Sequence, residues 1–208
     1  KKLTGVGLSL IYLPERAFSE EAFLHDLETL FETQPEPYIV VAVSEGIRNA
    51  NGEYVGSAAM SGAVDSFGHQ YLAGTGKYLE NLVRDKIGCK VRSVEVNILQ
   101  RCAAHLASQT DLSESFTVGK TAVRFAMEGK SGIMAAFVRQ IDENGQYAVT
   151  VEPVDVKEVA NAVKHVPDEY INADGNNVTE RCIDYLLPLI RGEVKTEYRD
   201  GLPIHFSF

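Results

Sequence analysis

The feature of the sequence that most constrains its fold is a strand–helix–strand pattern near the beginning of the chain. Two short, continuously apolar runs, Leu8–Leu13 and Tyr38–Val43, flank residues 23–31, whose apolar side chains recur at helical spacing. Ser19 is well placed to cap that helix. Because strands without polar alternation are covered on both faces, the pattern predicts a βαβ unit in a parallel sheet, and therefore an α/β fold.

The later part of the chain predicts an antiparallel hairpin. Asn144 and Gly145, a dipeptide that favours a two-residue turn, separate the apolar segments 133–141 and 147–151. We therefore expect two paired strands near residues 133–151.

Periodicity and end signals predict the remaining elements. A strand is expected over residues 91–96, and helices are expected over residues 110–128, 156–164 and 178–190. Another helix should end near Gly88. In the helix over residues 110–128, we expect Phe116, Val123 and Met127 to face the core.

The charge balance restricts the ligands that the chain can bind. With 20 Lys and Arg against 29 Asp and Glu, its formal net charge is −9, and such a field repels nucleic acids and anionic membranes. No apolar run approaches the roughly 20 residues that a membrane-spanning helix needs. An anionic ligand would therefore be held by a few locally placed Arg or Lys side chains.

The cysteines indicate a reducing compartment. Cys89, Cys102 and Cys182 are widely separated and match neither a disulfide framework nor the spacing of metal ligands. We interpret them as reduced thiols and expect a cytoplasmic protein with no metal site in this chain.

Three side chains are candidates for ligand binding on position and chemistry. Glu45 follows the second predicted strand, and open parallel sheets bind ligands beyond the carboxyl ends of their strands. An ordinary solvated loop glutamate would occupy the same position. Arg92 and Arg101 lie nine residues apart, and their guanidinium forks suit a phosphate group. Spacing alone favours two surface arginines over a phosphate site.

A set of short motifs, taken in order, resembles the phosphofructokinase family. The motifs are Ile11–Glu15, Val43–Arg48, Asp65–Leu72, Lys90–Arg92, Leu99–Cys102 and Val118–Val123, and the segments 159–161, 166–172 and 188–193 also fit. The closest similarity is to the pyrophosphate-dependent or mixed-donor branch. It covers nearly all 208 residues, and each motif is weak alone while the ordered set is specific.

The resemblance implies a three-layer parallel-sheet sandwich of the phosphofructokinase type. Residues 1–100 would form a sugar-phosphate-binding α/β region. Residues 101–208 would supply the C-terminal helices and the hairpin that complete a two-domain core. The N-terminal half, which binds the phosphoryl donor in the family, would be absent, and the start at Lys1 without an initiator Met agrees with a C-terminal fragment.

The resemblance also implies a substrate-binding set. Glu45 matches a glutamate that accepts hydrogen bonds from sugar hydroxyls, and Arg101 matches an arginine that grips the sugar 6-phosphate. Arg92 matches an arginine that reaches the sugar site of a neighbouring subunit, which implies a homo-oligomer. Gln100 belongs to the same Leu-Gln-Arg motif as Arg101. Ile98 stands where ATP-using members have His and many pyrophosphate users have Tyr, so a polar contact is lost there.

Three elements of the family's catalytic machinery are missing. The chain has no Gly-Gly-Asp donor loop, no Thr-Ile-Asp loop with the catalytic base, and no Met-Gly-Arg segment. We therefore predict no catalytic residue in this chain. Mg²⁺ and the donor, pyrophosphate or ATP, would be bound by the missing half, and the 208-residue chain alone would be inactive.

Three functions remain open at this point. The resemblance implies a glycolytic kinase, from a family with allosteric members, that transfers a phosphoryl group to the 1-hydroxyl of fructose 6-phosphate. The alternative is a non-catalytic regulatory subunit that binds a sugar phosphate. The third is an α/β interaction domain in which the arginines are structural. The upstream reading frame would separate the first two, because only the enzyme requires a donor loop there.

Overall fold

The structure, a computed structural model, describes residues 7–56, 74–103 and 106–204. The motif Asp65–Leu72 lies outside these ranges. The strands are β1 (Leu10–Tyr12), β2 (Val41–Val43), β3 (Ile133–Ile141), β4 (Tyr147–Asp155), β5 (Tyr198–Arg199) and β6 (Leu202–Pro203). The helices are α1 (Glu20–Thr33), α2 (Thr75–Lys86), α3 (Leu99–Cys102), α4 (Gln109–Met127), α5 (Val156–Val159) and α6 (Glu180–Leu186).

The chain divides into two compact units. The first unit comprises residues 1–96 and 165–182, and the second comprises residues 97–164 and 183–208. The functional regions expected on either side of residue 100 stay a prediction. Among the described residues, every helix is too short or too polar to cross a bilayer.

The first unit contains the predicted βαβ arrangement. β1 and β2 are parallel, with Leu10 opposite Val41, and α1 connects them. The Ser19 hydroxyl accepts a hydrogen bond of 3.2 Å from a backbone N–H in the first turn of α1. Phe23 and Leu27, one helical turn apart, are the buried side chains of α1. The α/β class is therefore confirmed, although both strands are shorter than the apolar runs that predicted them.

An aromatic cluster forms the centre of the core of the first unit. The rings of Tyr12, Phe18 and Phe23 pack with centroid separations of 5.3 to 5.5 Å. The two pairs that include Tyr12 are edge-on, and such pairs contribute about 0.5–1.5 kcal/mol beyond the area that they bury. Leu79 and Val83 bring α2 into the same core, which places this helix beside the βαβ unit.

The second unit contains the predicted hairpin. β3 and β4 are antiparallel, and Ile133 pairs with Asp155 at the open end, four residues beyond the predicted boundary. The connection spans residues 142–146, which is wider than the expected two-residue turn. Asp142 Oδ1 accepts hydrogen bonds of 2.9 and 2.7 Å from two backbone N–H groups of this loop, and Gly145 has a φ of 74°. The carboxylate therefore stabilises the wider loop.

The prediction of which face of α4 points into the core is wrong. Phe116, Val123 and Met127 are 73%, 61% and 84% exposed, whereas Thr121 and Phe125 are the buried residues of this helix. The more covered face of α4 carries Glu114, Val118, Thr121 and Phe125 and is less apolar than the opposite, exposed face, so periodicity alone selects the wrong side. Both strands of the hairpin pack against α4.

Three other expectations about regular structure are also corrected. Residues 91–96 do not form a strand. The expected helix over residues 156–164 is only the single turn α5. The expected helix over residues 178–190 begins as α6 and continues as a 3-10 turn from Leu187 to Ile190, because Pro188 has no N–H to donate to the α-helical pattern.

Candidate functional site

Glu45 lies at the carboxyl end of the parallel strand pair, as the sequence predicts. The N–H of Ser44 donates to the carbonyl of Tyr12 at 3.1 Å, so the ladder continues one residue past β2. The Ser44 hydroxyl then accepts from the N–H of Gly46 at 3.2 Å and turns the chain. The side chain of Glu45, between these two residues, is exposed to solvent. Its carboxylate can therefore accept hydrogen bonds from a ligand at this end of the sheet.

The first residue of α2 fixes the loop that carries Glu45. Thr75 is 1% exposed, and its hydroxyl donates to the carbonyl of Val55 at 3.2 Å and lies 3.5 Å from the carbonyl of Glu45. Ile47 is fully buried directly after the turn. The backbone on both sides of Glu45 is therefore held by hydrogen bonds and burial.

A buried carboxylate on α2 was missed by the sequence analysis. Only 10% of the Glu80 side chain is exposed, and it accepts a hydrogen bond from Lys77 Nζ at 2.6 Å and another from Arg84. Its second oxygen, Oε2, accepts from the N–H and the hydroxyl of Ser93, at 2.9 and 2.6 Å. Lys77 and Arg84 lie three and four residues from Glu80, a spacing that predicts ion pairs on one helix face. Nothing in the sequence near Glu80 predicts its contact with Ser93.

The electrostatic environment of Glu80 favours its charged form. The hydrogen bond from Lys77, followed by those from Ser93, holds the pKa of the Glu80 carboxyl well below its usual range. Burial acts in the opposite direction and is outweighed. Glu80 is therefore an ionised acceptor at neutral pH.

Arg92 lies on an extended segment that is attached to α2 through two carboxylates. Glu80 binds Ser93, the residue after Arg92, and Glu95 Oε1 accepts from the N–H of Gly74 at 3.2 Å. The side chain of Arg92 is exposed. The segment therefore displays a guanidinium from a backbone that is held just after Arg92.

The other three predicted residues lie around the single turn α3. The N–H of Arg101 donates to the carbonyl of Ile98 at 3.0 Å and closes this turn. Ile98 is 67% exposed, and Gln100 and Arg101 are exposed as well. These residues belong to the second unit, whereas Glu45 and Arg92 belong to the first. Their common assignment to substrate binding stays a prediction.

The described residues offer no obvious alternative site. Within the described ranges, no group of three or more His, Cys, Asp and Glu side chains could hold a metal ion. Two shallow surface depressions, one along α1 and one between α4 and β4, are lined by none of the five predicted residues.

Comparison with known proteins identifies several relatives that share one name. No protein-family model matches the chain. A protein of Methylococcus capsulatus named pyrophosphate--fructose 6-phosphate 1-phosphotransferase is 40% identical over 194 residues, which cover 93% of this chain and 44% of the relative. A protein of the same name from Xanthomonas campestris is 39% identical over 199 residues, covering 95% of this chain and 46% of the relative.

Solved structures that resemble this chain are also pyrophosphate-dependent enzymes by name. The crystal structure of a pyrophosphate-dependent phosphofructokinase from Marinobacter aquaeolei superposes with a TM-score of 0.76 at 33% identity, covering 96% of this chain and 45% of the other. A pyrophosphate-dependent phosphofructokinase from Nitrosospira multiformis gives 0.75 at 30% identity, with coverages of 93% and 43%. The chain thus spans a little under half the length of the relatives that it matches, which is consistent with the predicted C-terminal part. The resemblance and the fold type expected from the sequence are confirmed.

Proposed function

We propose that this chain, which is homologous to the phosphofructokinases over nearly all of its length, is the sugar-phosphate-binding part of a pyrophosphate--fructose 6-phosphate 1-phosphotransferase. The observation that carries the proposal is the identity of about 40% with two proteins of that name over 93% and 95% of the chain. The whole protein would transfer a phosphoryl group from pyrophosphate to the 1-hydroxyl of fructose 6-phosphate in cytoplasmic glycolysis.

The polar and charged residues of the predicted set have roles that their chemistry supports. Glu45, as a fixed carboxylate at a strand end, would accept hydrogen bonds from sugar hydroxyls. Arg101 would bind the 6-phosphate through its guanidinium fork, which makes stronger contacts with phosphate than a neutral donor does. Gln100 would lie beside that phosphate, and Ile98 would line the same place without the polar contact that His or Tyr supplies in the family. Arg92 would reach the sugar site of a neighbouring subunit in a homo-oligomer.

The two arginines would bind an anionic substrate although the chain as a whole is negatively charged. A net charge of −9 gives no general attraction for an anionic substrate. Binding would therefore depend on the direct contacts of Arg92 and Arg101. It would be sensitive to the loss of either one.

The donor side of the reaction would lie outside this chain. Phosphoryl transfer depends on positioning the two substrates and neutralising the charge between them, which in this family requires Mg²⁺. Within the described ranges no group of three or more His, Cys, Asp and Glu side chains comes together, so this part of the chain offers no preformed protein cage for Mg²⁺. Mg²⁺, the donor and the catalytic base would be supplied by the rest of the protein.

A coupled assay tests the proposal. The protein expressed from its whole reading frame should turn over fructose 6-phosphate with pyrophosphate, and the isolated 208-residue chain should not. Turnover by the isolated chain would contradict its predicted inactivity. If the whole protein binds fructose 6-phosphate without turning it over with pyrophosphate or ATP, the regulatory-subunit alternative replaces the enzyme.

A further inference from the structure

The segment that carries Arg92 depends on side chains for its position. Residues 91–96 take part in no strand pairing within the described part of the chain, so a sheet does not set their course. The segment packs against the start of α2 instead. A Cβ built on Gly76 would lie 3.4 Å from the Cβ of Ser93, which is van der Waals contact.

Glu80 fixes the backbone of this segment as well as a side chain. One of the two Ser93 groups that donate to Glu80 Oε2 is the main-chain N–H, at 2.9 Å. That N–H belongs to the peptide plane that joins Arg92 to Ser93, and a peptide plane is rigid. Holding it therefore fixes the orientation of the chain as it leaves the Cα of Arg92.

The carboxylate is needed for both sets of contacts. Oε1 accepts from Lys77 and Arg84, which leaves Oε2 for the two donors of Ser93. A glutamine has one oxygen acceptor, and its NH₂ group only donates. Glu80→Gln would therefore have to give up either the helix cations or Ser93, although its shape is almost unchanged.

We propose that Glu80 is a positioning residue for sugar-phosphate binding, because it fixes the Arg92–Ser93 peptide from which the Arg92 guanidinium reaches the substrate. The inference rests on the proposed function. Glu80 itself touches no substrate and acts through Ser93 and Arg92.

The test is a double-mutant cycle in the whole protein, measured as steady-state kinetics with pyrophosphate. Arg92→Ala should raise the KM for fructose 6-phosphate by about 10- to 150-fold, the range for losing a charge-assisted contact. Glu80→Gln should raise the same KM by about tenfold and change kcat by less than about twofold. Combined with Arg92→Ala, it should add no further rise, because residues in one pathway are not additive.

A matched control separates positioning from the loss of a charge. Glu128 also lies between two cations, at 3.8 Å from Arg124 and 3.0 Å from Lys130, but 46% of its side chain is exposed and it belongs to the second unit. Glu128→Gln should leave the KM unchanged. Ser93→Thr keeps both donors to Glu80 and should retain a KM close to that of the unaltered enzyme.

Each adverse outcome has a distinct meaning. An unchanged KM in Glu80→Gln, or an equal rise with and without Arg92, would overturn the positioning role while leaving the proposed function standing. An unchanged KM in Arg92→Ala would overturn the proposed role of Arg92, and with it this inference. If Glu80→Gln does not fold, Glu80→Asp, which keeps the charge and both oxygens but is one methylene too short to maintain the contact with the Ser93 N–H, gives the same cycle.

Discussion

The hydroxyl of Tyr12 donates a 2.7 Å hydrogen bond to Oδ2 of Asp26, which connects β1 to α1. The same oxygen accepts from the side-chain amide of Asn176 at 2.8 Å. Burial, reinforced by this hydrogen bond to Asp26, raises the pKa of Tyr12 far above its usual value. One carboxylate therefore joins the strand, the helix and the later segment that returns to this unit.

Tyr12→Phe should lower the free energy of unfolding by about 1.5–3 kcal/mol, since it removes a hydrogen bond to a charged acceptor. The ring still packs against Phe18 and Phe23, so the loss should come from the hydroxyl. Urea denaturation measures the difference. Tyr38→Phe, at a residue that is 42% exposed, is the control and should change the stability little. Equal stabilities for Tyr12→Phe and the unaltered chain would contradict the role of this bond.

Alanine substitutions at two glycines of the second unit distinguish the energetic cost of backbone strain from the cost of steric overlap. Gly145 and Gly192 both have a positive φ, 74° and 82°. A Cβ on Gly145 would meet nothing within 4 Å, whereas one on Gly192 would lie 2.7 Å from the Cβ of Gln109. Gly145→Ala should cost about 1–2 kcal/mol for the left-handed conformation alone. Gly192→Ala should add about 1–3 kcal/mol because the start of α4 must move.

Thermal unfolding of the two alanine variants measures this difference. Gly145→Ala serves as the control, since it has the strain without the overlap. A melting temperature for Gly192→Ala equal to or above that of Gly145→Ala would show that the contact with Gln109 is not close in solution.

The stabilising effect of Glu80 should depend on pH. Its pKa is lowered in the folded chain, mainly by the hydrogen bond from Lys77, so the unfolded chain takes up a proton at a higher pH than the folded one. The contribution of Glu80 is therefore fully present above its ordinary pKa of 4.5 and is lost as the pH falls. The stability difference between the unaltered chain and Glu80→Gln should shrink from pH 7 to pH 3.

Denaturant midpoints at the two pH values test this dependence. Glu128→Gln is the control, and its stability difference should change little over the same range. A difference for Glu80→Gln that stays constant or grows as the pH falls would contradict the lowered pKa.

Arg101→Ala in the whole protein should raise the KM for fructose 6-phosphate by about 10- to 150-fold, because it removes a charge-assisted contact with the 6-phosphate. Steady-state kinetics at saturating pyrophosphate measures it. Arg199→Ala, at an exposed residue of β5 with no proposed role, should leave the KM unchanged. An unchanged KM in Arg101→Ala would remove this residue from the substrate site.

The parts of the fold that were predictable are those encoded over short distances. The βαβ unit follows from two apolar runs and one amphipathic segment, and Ser19 caps α1 as expected. Glu45 was placed correctly at the strand end because that position follows from the βαβ unit alone. The hairpin was also found, although its loop is widened by Asp142.

The errors concern choices that the local sequence leaves open. Residues 91–96 alternate as a strand would, but Ser93 bonds to Glu80, 13 residues away, rather than to another strand. Phe116 lies on the more apolar face of α4 and is exposed, whereas Phe125 on the opposite face is buried, and α4 packs against the hairpin, which lies outside its local sequence. The substrate role of Arg92, Ile98, Gln100 and Arg101 was inferred from ordered motifs, and kinetics must test it.

The sequence by itself determined the α/β class, the family resemblance and the end of the strand pair at which Glu45 lies. Periodicity, capping and motif order are properties of neighbouring residues, so they can be read along the chain. Only the tertiary structure decided that Glu80 is buried and holds the segment beside Arg92. A buried carboxylate and a backbone N–H find each other through packing, because each must satisfy its hydrogen bonds once water is excluded.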